Sequence, residues 1–254
     1  MISGKRVIAA MLTALMAVTF TANTAVSVYA TGVTATENAQ TIDAQSTDAQ
    51  ALTPEEQKAQ ELQQVYDMPV ESNGYKDWPQ GPGTYGEAGI VMEVGTGAIL
   101  YAKNIDAHEY PASITKVLTA LVALENGQLT DNVTFSHDSV AFLQRGDSSV
   151  GLKEGNVITL DQAMHAMLLA SANEAAYAIG ESVGVNAGHD YNWFIEQMNS
   201  RCKELGGENS NFANTNGLHD PNHYTCARDM ALIGRELFKH PEFFKIVQTL
   251  NYTI

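Results

Sequence analysis

Basic residues are scarce in this chain of 254 residues. The sequence contains 14 Lys plus Arg against 29 Asp plus Glu, which gives a formal net charge of −15 at pH 7. This acidic balance argues against nucleic acid or anionic lipid as a partner held by bulk charge. Beyond the N-terminal region, the sequence also lacks any stretch that is long and apolar enough to span a membrane.

Cysteine is equally rare. Cys202 and Cys226 belong to no Cys-dense framework, so two interpretations stay open: a disulfide in a secreted chain, or two core thiols on adjacent helices. No set of His and Cys has convincing zinc spacing. His219 and His223 flank the turn sequence Asp220-Pro221-Asn222, which favours a loop over a metal site. We therefore expect neither a metal nor another cofactor.

The first thirty residues predict a secretory signal peptide, residues 1–30. Lys5 and Arg6 precede a mostly apolar run from Val7 to Phe20, and Val28-Tyr29-Ala30 resembles a small-x-small cleavage site. Polar residues interrupt the apolar run, which favours cleavage after Ala30 over an uncleaved membrane anchor. We expect a secreted protein of the extracytoplasmic cell envelope, with no membrane anchor in the mature chain.

Residues 31–84 are predicted to be a disordered acidic and polar linker. Residues 31–64 have no aromatic side chain, and residues 72–86 are rich in Gly and Pro. Residues 54–65 have transient helical character at most. The folded domain is therefore expected over residues 85–254.

The folded part begins with a β-hairpin signal. Two apolar runs, residues 88–94 and 98–102, are joined by Gly95-Thr96-Gly97. A buried helix follows, with Pro111 just ahead of it and Gly127 just past it. Further helices are predicted after a Thr159 cap, over residues 175–183, over residues 189–205, over residues 226–238 with Thr225 as the cap, and from Pro241.

Ser113 and Lys116 are candidate catalytic residues at the start of the buried helix. A spacing of three residues places both side chains on one helix face, one turn apart. Burial disfavours the ammonium form of lysine and lowers its pKa, so Lys116 could act as a base for the Ser113 hydroxyl. The alternative is that Ser113 caps the helix and Lys116 reaches solvent from the first turn.

A second hydroxyl and an amide come from Ser171-Ala172-Asn173. Taken alone, Ser171 and Glu174 match the Ser-x-x-Glu pattern of a helix capping box. The order Ser-x-x-Lys, followed downstream by Ser-x-Asn between two helices, is instead typical of penicillin-binding proteins and related serine hydrolases. Read together, the two motifs favour a catalytic site.

Four segments carry a closer resemblance, which covers roughly residues 85–250. Residues 110–125, 168–176, 212–218 and 227–231 are similar to segments of the D-alanyl-D-alanine carboxypeptidases of the S11 peptidase family. The resemblance implies an α/β (α+β) architecture: a β-lactamase/transpeptidase-like fold with a helical subdomain. It also implies an enzyme that removes the terminal D-alanine from the peptidoglycan stem pentapeptide, with β-lactams as inhibitors.

Roles for individual residues follow from the resemblance. Ser113 would be the nucleophile that forms the acyl-enzyme, and Lys116 the base that takes its proton. Ser171 would relay protons towards the leaving amine, and Asn173 would orient the substrate amide.

The sequence departs from the family at the third motif, because no Lys-Thr-Gly occurs before the last residue, Ile254. The domain is therefore predicted to be incomplete before the C-terminal strands of its sheet, and the apolar Ser113 helix to expose part of its surface. A truncated, non-catalytic peptidoglycan-binding pseudoenzyme or a gene fragment is the alternative function. A class A β-lactamase is less favoured, because the sequence has no Glu-x-x-Leu-Asn segment.

Overall fold

The computed structural model describes residues 52–254, and the predicted signal peptide and the first part of the predicted linker lie outside them. A boundary between two compact units falls between Val65 and Tyr66. Helix α1, Pro54–Tyr66, ends at this boundary. Thr53 closes a capping box with Glu56: Thr53 Oγ1 accepts from the Glu56 N–H at 3.3 Å, and the Glu56 carboxylate accepts from the Thr53 N–H at 2.8 Å.

Residues 72–84 pack against the hairpin that follows them. Ser72 is buried and its Oγ accepts from the backbone N–H of Ala102 at 3.3 Å. Trp78 Nε1 donates to the Leu100 carbonyl at 2.9 Å, and Lys103 Nζ donates to the Thr84 carbonyl at 2.6 Å. The prediction of disorder therefore does not hold for residues 72–84, because side chains of this Gly- and Pro-rich stretch pair with strand backbone.

The predicted β-hairpin is confirmed. Strands β1, Gly89–Met92, and β2, Ile99–Lys103, pair in antiparallel fashion, with Ile90 opposite Ala102. The Glu93 carboxylate holds the turn by accepting from the N–H groups of Gly95 and Thr96 at 2.9 and 2.5 Å. A second antiparallel pair, β3 and β4, joins Asn132–Thr134 to Val157–Thr159.

Seven helices complete the second unit over residues 66–254. They are α2, Thr115–Asn126; α3, His137–Ala141; α4, Leu160–Leu169; α5, Asn173–Asn186; α6, Tyr191–Glu204; α7, Ala227–Leu237; and α8, Pro241–Val247. None of the helices within the described range is long and apolar enough to cross a membrane.

Helix α2 lies at the centre of the core. Leu118 and Leu121 have no exposed surface, and Val122 is 1% exposed. Helices α4, α5, α6 and α7 all contact α2. Helices on several sides therefore cover most of α2, while Val117 and Leu124 stay partly exposed, in line with the expectation that α2 would expose part of its apolar surface.

Two of the predicted helix caps can be compared with the structure. Thr159 caps α4 in a full capping box with Gln162, as predicted. The prediction of Thr225 as the cap of α7 is wrong: Cys226 takes that position, and its Sγ accepts from the Asp229 N–H at 3.4 Å. Thr225 instead pairs through its backbone with Glu109, at 2.7 and 2.9 Å.

The two cysteines are unpaired core thiols. Cys202 is 3% exposed and Cys226 is 1% exposed, and neither forms a disulfide. Burial raises the pKa of the Cys202 thiol to about 11 and that of the Cys226 thiol to about 12. Of the two interpretations left open by the sequence, the structure therefore supports two core thiols and not a disulfide.

Candidate active site

Ser113 lies in a 3₁₀ turn, Ala112–Ile114, that leads directly into α2. Its side chain is exposed, whereas Lys116, one turn later, is 3% exposed. Lys116 Nζ donates to Ser113 Oγ at 3.1 Å. The alternative of a capping serine and a solvent-exposed lysine does not occur, because neither the turn nor α2 has a side-chain cap and Lys116 is buried.

The Lys116 amine has three acceptors arranged around it. Besides Ser113 Oγ, its Nζ donates to Asn173 Oδ1 at 2.8 Å and to the backbone carbonyl of Asn216 at 2.7 Å. Burial lowers the pKa of Lys116 to about 8, while the nearby Glu174 carboxylate acts in the opposite direction. A pKa close to ambient pH allows an amine to give up and take back a proton during a reaction.

Ser171 meets Ser113 from the loop between α4 and α5. Its Oγ donates to Ser113 Oγ at 3.0 Å. Its backbone has a φ of 56°, in the left-handed region that is costly for a residue with a Cβ. The capping box with Glu174 does not form, because Ala172 takes the cap position of α5 without a side-chain hydrogen bond.

Glu174 is instead fully buried and holds a neighbouring loop. Its Oε1 accepts from Ser149 Oγ at 2.7 Å and from the N–H groups of Val150 and Gly151 at 2.8 and 3.1 Å. The backbone N–H of Asn173 donates to the Ser148 carbonyl at 2.9 Å. The start of α5, which carries Asn173, is thereby fixed against residues 148–151.

The sequence did not single out Asn216 and Gly217 individually, although both fall in the segment 212–218. Asn216 contributes its backbone carbonyl to Lys116, and the neighbouring Thr215 carbonyl accepts from Thr119 Oγ1 at 2.7 Å. Gly217 has a φ of 84°, and a Cβ there would overlap the carbonyl oxygen of Ala112. Only a glycine lets this loop lie so close to the Ser113 turn. The Asn-Gly pair is a turn signal, but it does not indicate what the turn contacts.

His223 connects the start of α2 to the loop that contains Asn216 and Gly217. Its Nδ1 accepts from the Ala213 N–H at 2.9 Å, so the proton lies on Nε2, which donates to Thr115 Oγ1 at 2.8 Å. Burial lowers the pKa of His223 to about 4, which keeps the ring neutral. His219 and His223 both lie in a loop. Over residues 52–254, no group of three or more His, Cys, Asp or Glu is placed to hold a metal ion.

Solved structures that are similar to this chain indicate the class of protein to which its fold belongs. The chain matches penicillin-binding protein 5 from Haemophilus influenzae with a TM-score of 0.61 and 30% identity, over 69% of this chain and 52% of that one. It matches the Streptomyces K15 DD-transpeptidase with a TM-score of 0.58 and 29% identity, over 63% of each chain. The predicted α+β, transpeptidase-like fold with a helical subdomain is thereby confirmed: this is the fold of penicillin-binding DD-peptidases.

The chain belongs to the D-alanyl-D-alanine carboxypeptidase family, peptidase S11, whose model matches residues 79–254. The D-alanyl-D-alanine carboxypeptidase DacA of Haemophilus influenzae is 34% identical over 170 residues, which are 65% of this chain and 42% of the relative. DacF of Bacillus subtilis is 33% identical over 168 residues, which are 64% of this chain and 41% of the relative. The chain therefore spans less than half the length of these two curated relatives.

Proposed function

We propose that the chain is a serine-type D-alanyl-D-alanine carboxypeptidase of the cell envelope that acts on peptidoglycan stem pentapeptides. One observation carries the proposal: a buried lysine amine with a lowered pKa lies 3.1 Å from an exposed serine hydroxyl. The names of the curated relatives and the family assignment support the same reaction class. Extracytoplasmic location follows from the substrate and from the predicted signal peptide.

The hydrogen bonds of Lys116 indicate how it would accept a proton. Asn173 Oδ1 and the Asn216 carbonyl are acceptors only, so a neutral amine keeps its two protons for them. Its lone pair then points at the third neighbour, Ser113 Oγ. A serine hydroxyl is a weak nucleophile at its free pKa and needs such a base.

In the proposed acylation step, the Ser113 proton moves to Lys116 Nζ while Ser113 Oγ bonds to the carbonyl carbon of the penultimate D-alanine. As the carbon–nitrogen bond breaks, the leaving amine takes a proton from Ser171 Oγ, which is 3.0 Å from Ser113 Oγ. The proton held by Lys116 replaces it on Ser171, so that Lys116 is again a free amine, and the terminal D-alanine departs. Water attacks the resulting ester, releases the shortened peptide and restores the Ser113 hydroxyl. The Ser113 N–H, at the start of a helical turn, is a candidate donor to the developing oxyanion.

A labelled penicillin tests this assignment, since it should acylate Ser113 by the same first step. We expect covalent labelling of the chain at Ser113, identified by mass spectrometry of the labelled peptide. Ser113→Ala should abolish labelling, whereas Ser200→Ala, a change on the exposed side of α6, should not. Labelling of the Ser113→Ala chain at an undiminished level would refute the nucleophile assignment.

A non-catalytic peptidoglycan-binding role is the second candidate, and one observation favours it. Residues 1–254 carry no Lys-Thr-Gly, so this stretch of chain on its own would lack that oxyanion donor, and lack of one donor typically costs about a hundredfold to a thousandfold in rate. Under this alternative, the chain binds stem peptides without turnover. Release of D-alanine from a stem pentapeptide, measured with a coupled amino-acid oxidase, would exclude it.

A further inference from the structure

A short loop, residues 213–217, carries the backbone carbonyl that Lys116 contacts. Asn216 supplies that carbonyl, which lies 2.7 Å from Lys116 Nζ. The preceding carbonyl, of Thr215, accepts from Thr119 Oγ1 at 2.7 Å. A backbone carbonyl is placed by the path of its loop and not by its own side chain. Whatever fixes the 213–217 loop therefore also fixes the surroundings of the Lys116 amine.

His223 lies beside two backbone pairings that hold it in place. Tyr224, the next residue, pairs with Asn211 through two backbone hydrogen bonds of 2.9 and 3.0 Å. Thr225 pairs in the same way with Glu109, at 2.7 and 2.9 Å. The ring of His223 therefore extends from a backbone that is fixed independently of the 213–217 loop.

The ring of His223 connects that loop to helix α2. Its Nδ1 accepts from the Ala213 N–H at 2.9 Å, and its Nε2 donates to Thr115 Oγ1 at 2.8 Å. Phe212 packs edge-on against the ring, with centroids 5.7 Å apart and an angle of 84° between the ring planes. Thr115 directly precedes Lys116 on α2, and Ala213 begins the loop. One buried side chain therefore joins the residue before the candidate base to the loop that faces it.

This connection requires a neutral ring. The Ala213 N–H is a donor only, so Nδ1 has to keep its lone pair. Burial lowers the pKa of His223 to about 4, although the Asp220 carboxylate acts in the opposite direction. Above about pH 5 the ring therefore offers one acceptor and one donor. An apolar side chain of similar size would fill the space but leave the buried Ala213 N–H without a partner.

We propose that His223 is a positioning residue that holds the 213–217 loop against the Lys116 amine. The inference rests on the proposed function, in which Lys116 is the base. Without the hydrogen bonds of the ring, the loop loosens at its first residue and water gains access to the amine. Because burial is the main cause of the lowered pKa of Lys116, that pKa should then rise towards its ordinary value.

The pH profile of penicillin acylation tests this role, because its midpoint reports the pKa of Lys116. His223→Leu removes both hydrogen bonds of the ring. We expect the midpoint to rise by about one pH unit and the rate at pH 7 to fall about tenfold. His223→Gln, whose amide has an acceptor and a donor, should largely restore both quantities. His189→Leu, which changes an exposed histidine between α5 and α6, is the matched control and should leave the profile unchanged.

Thr115→Val and Thr115→Ser form a second pair of variants that leaves the histidine intact. Valine removes the hydroxyl that accepts from Nε2, so the midpoint should move in the same direction by a smaller amount. Serine keeps the hydroxyl and should restore the midpoint. This pair tests the same connection if His223→Leu does not fold, which circular dichroism shows.

A midpoint that stays in place in the folded variants, with only a lower Tm, would overturn the assignment, because His223 would then serve the fold alone. An NMR titration of isotope-labelled lysine side chains measures the pKa of Lys116 without any reaction, and Lys116→Met identifies its signal. If penicillin labels no chain, the proposed function fails, and the NMR midpoint still decides whether His223 positions Lys116. Labelling with an unchanged NMR midpoint in the variants refutes the positioning role and leaves the proposed function standing.

Discussion

The rate of acylation of Ser113 should follow the titration of Lys116, because only the free amine can accept the serine proton. With a pKa of about 8 instead of the ordinary 10.5, the free amine makes up ~9% of the chains at pH 7 and ~90% at pH 9. The second-order rate constant of penicillin acylation should therefore rise about tenfold over this range and then level off. An unshifted lysine would give a rise of about a hundredfold with no plateau at pH 9.

Stopped-flow fluorescence with a labelled penicillin measures this profile between pH 6 and pH 10. Circular dichroism at each pH shows over which range the fold persists, and the intrinsic hydrolysis of the penicillin is subtracted from each trace. Lys203→Ala, which changes an exposed lysine near the end of α6, is the matched control and should leave the profile unchanged. A rate that is flat from pH 6 to pH 9, or one that still rises in proportion to hydroxide at pH 9, would refute Lys116 as the base.

Further predictions concern the groups around Ser113. Glu174→Gln should move the midpoint of the acylation profile to lower pH, because the Glu174 carboxylate raises the pKa of Lys116; an unchanged midpoint would contradict this. The pKa of Lys116 is lower in the folded chain than in the unfolded chain, so the unfolded state binds more protons between pH 8 and pH 10. The free energy of unfolding of the wild type relative to Lys116→Met, measured with urea, should therefore increase by about 2 kcal/mol from pH 8 to pH 10. Gly217→Ala should lower both the Tm and the acylation rate, since its Cβ would overlap the Ala112 carbonyl. If neither quantity falls, the close contact between Gly217 and Ala112 is contradicted. Ser171→Ala should slow D-alanine release by about a hundredfold while the chain stays folded.

Local spacing predicted one part of the candidate site well. The three-residue separation of Ser113 and Lys116 indicated contact on one helix face, and their atoms lie 3.1 Å apart. The contact of Ser171 with Ser113 joins residues 58 positions apart, and no periodicity could indicate it. It was expected only from the order of the two motifs and from the family resemblance.

Contacts made by the backbone were the hardest to predict. The carbonyl of Asn216 accepts from Lys116 whatever its side chain is, so the residue type carries no signal. For Glu174, the residue type did carry a signal, but the signal indicated the wrong partner. Its local pattern indicated a helix cap, whereas its carboxylate accepts hydrogen bonds from the N–H groups of Val150 and Gly151. Tertiary partners replaced the local one because a buried carboxylate needs several donors and a single cap supplies one.

The two buried thiols can report on local unfolding of the protein. Alkylating reagents react with thiolates, and at pH 8 the raised pKa values of Cys202 and Cys226 leave almost none in the native state. Reaction therefore requires exposure of helices α6 and α7, which carry or adjoin these residues and pack in the core around α2. The rate of alkylation in dilute denaturant would measure the free energy of that opening without any introduced probe.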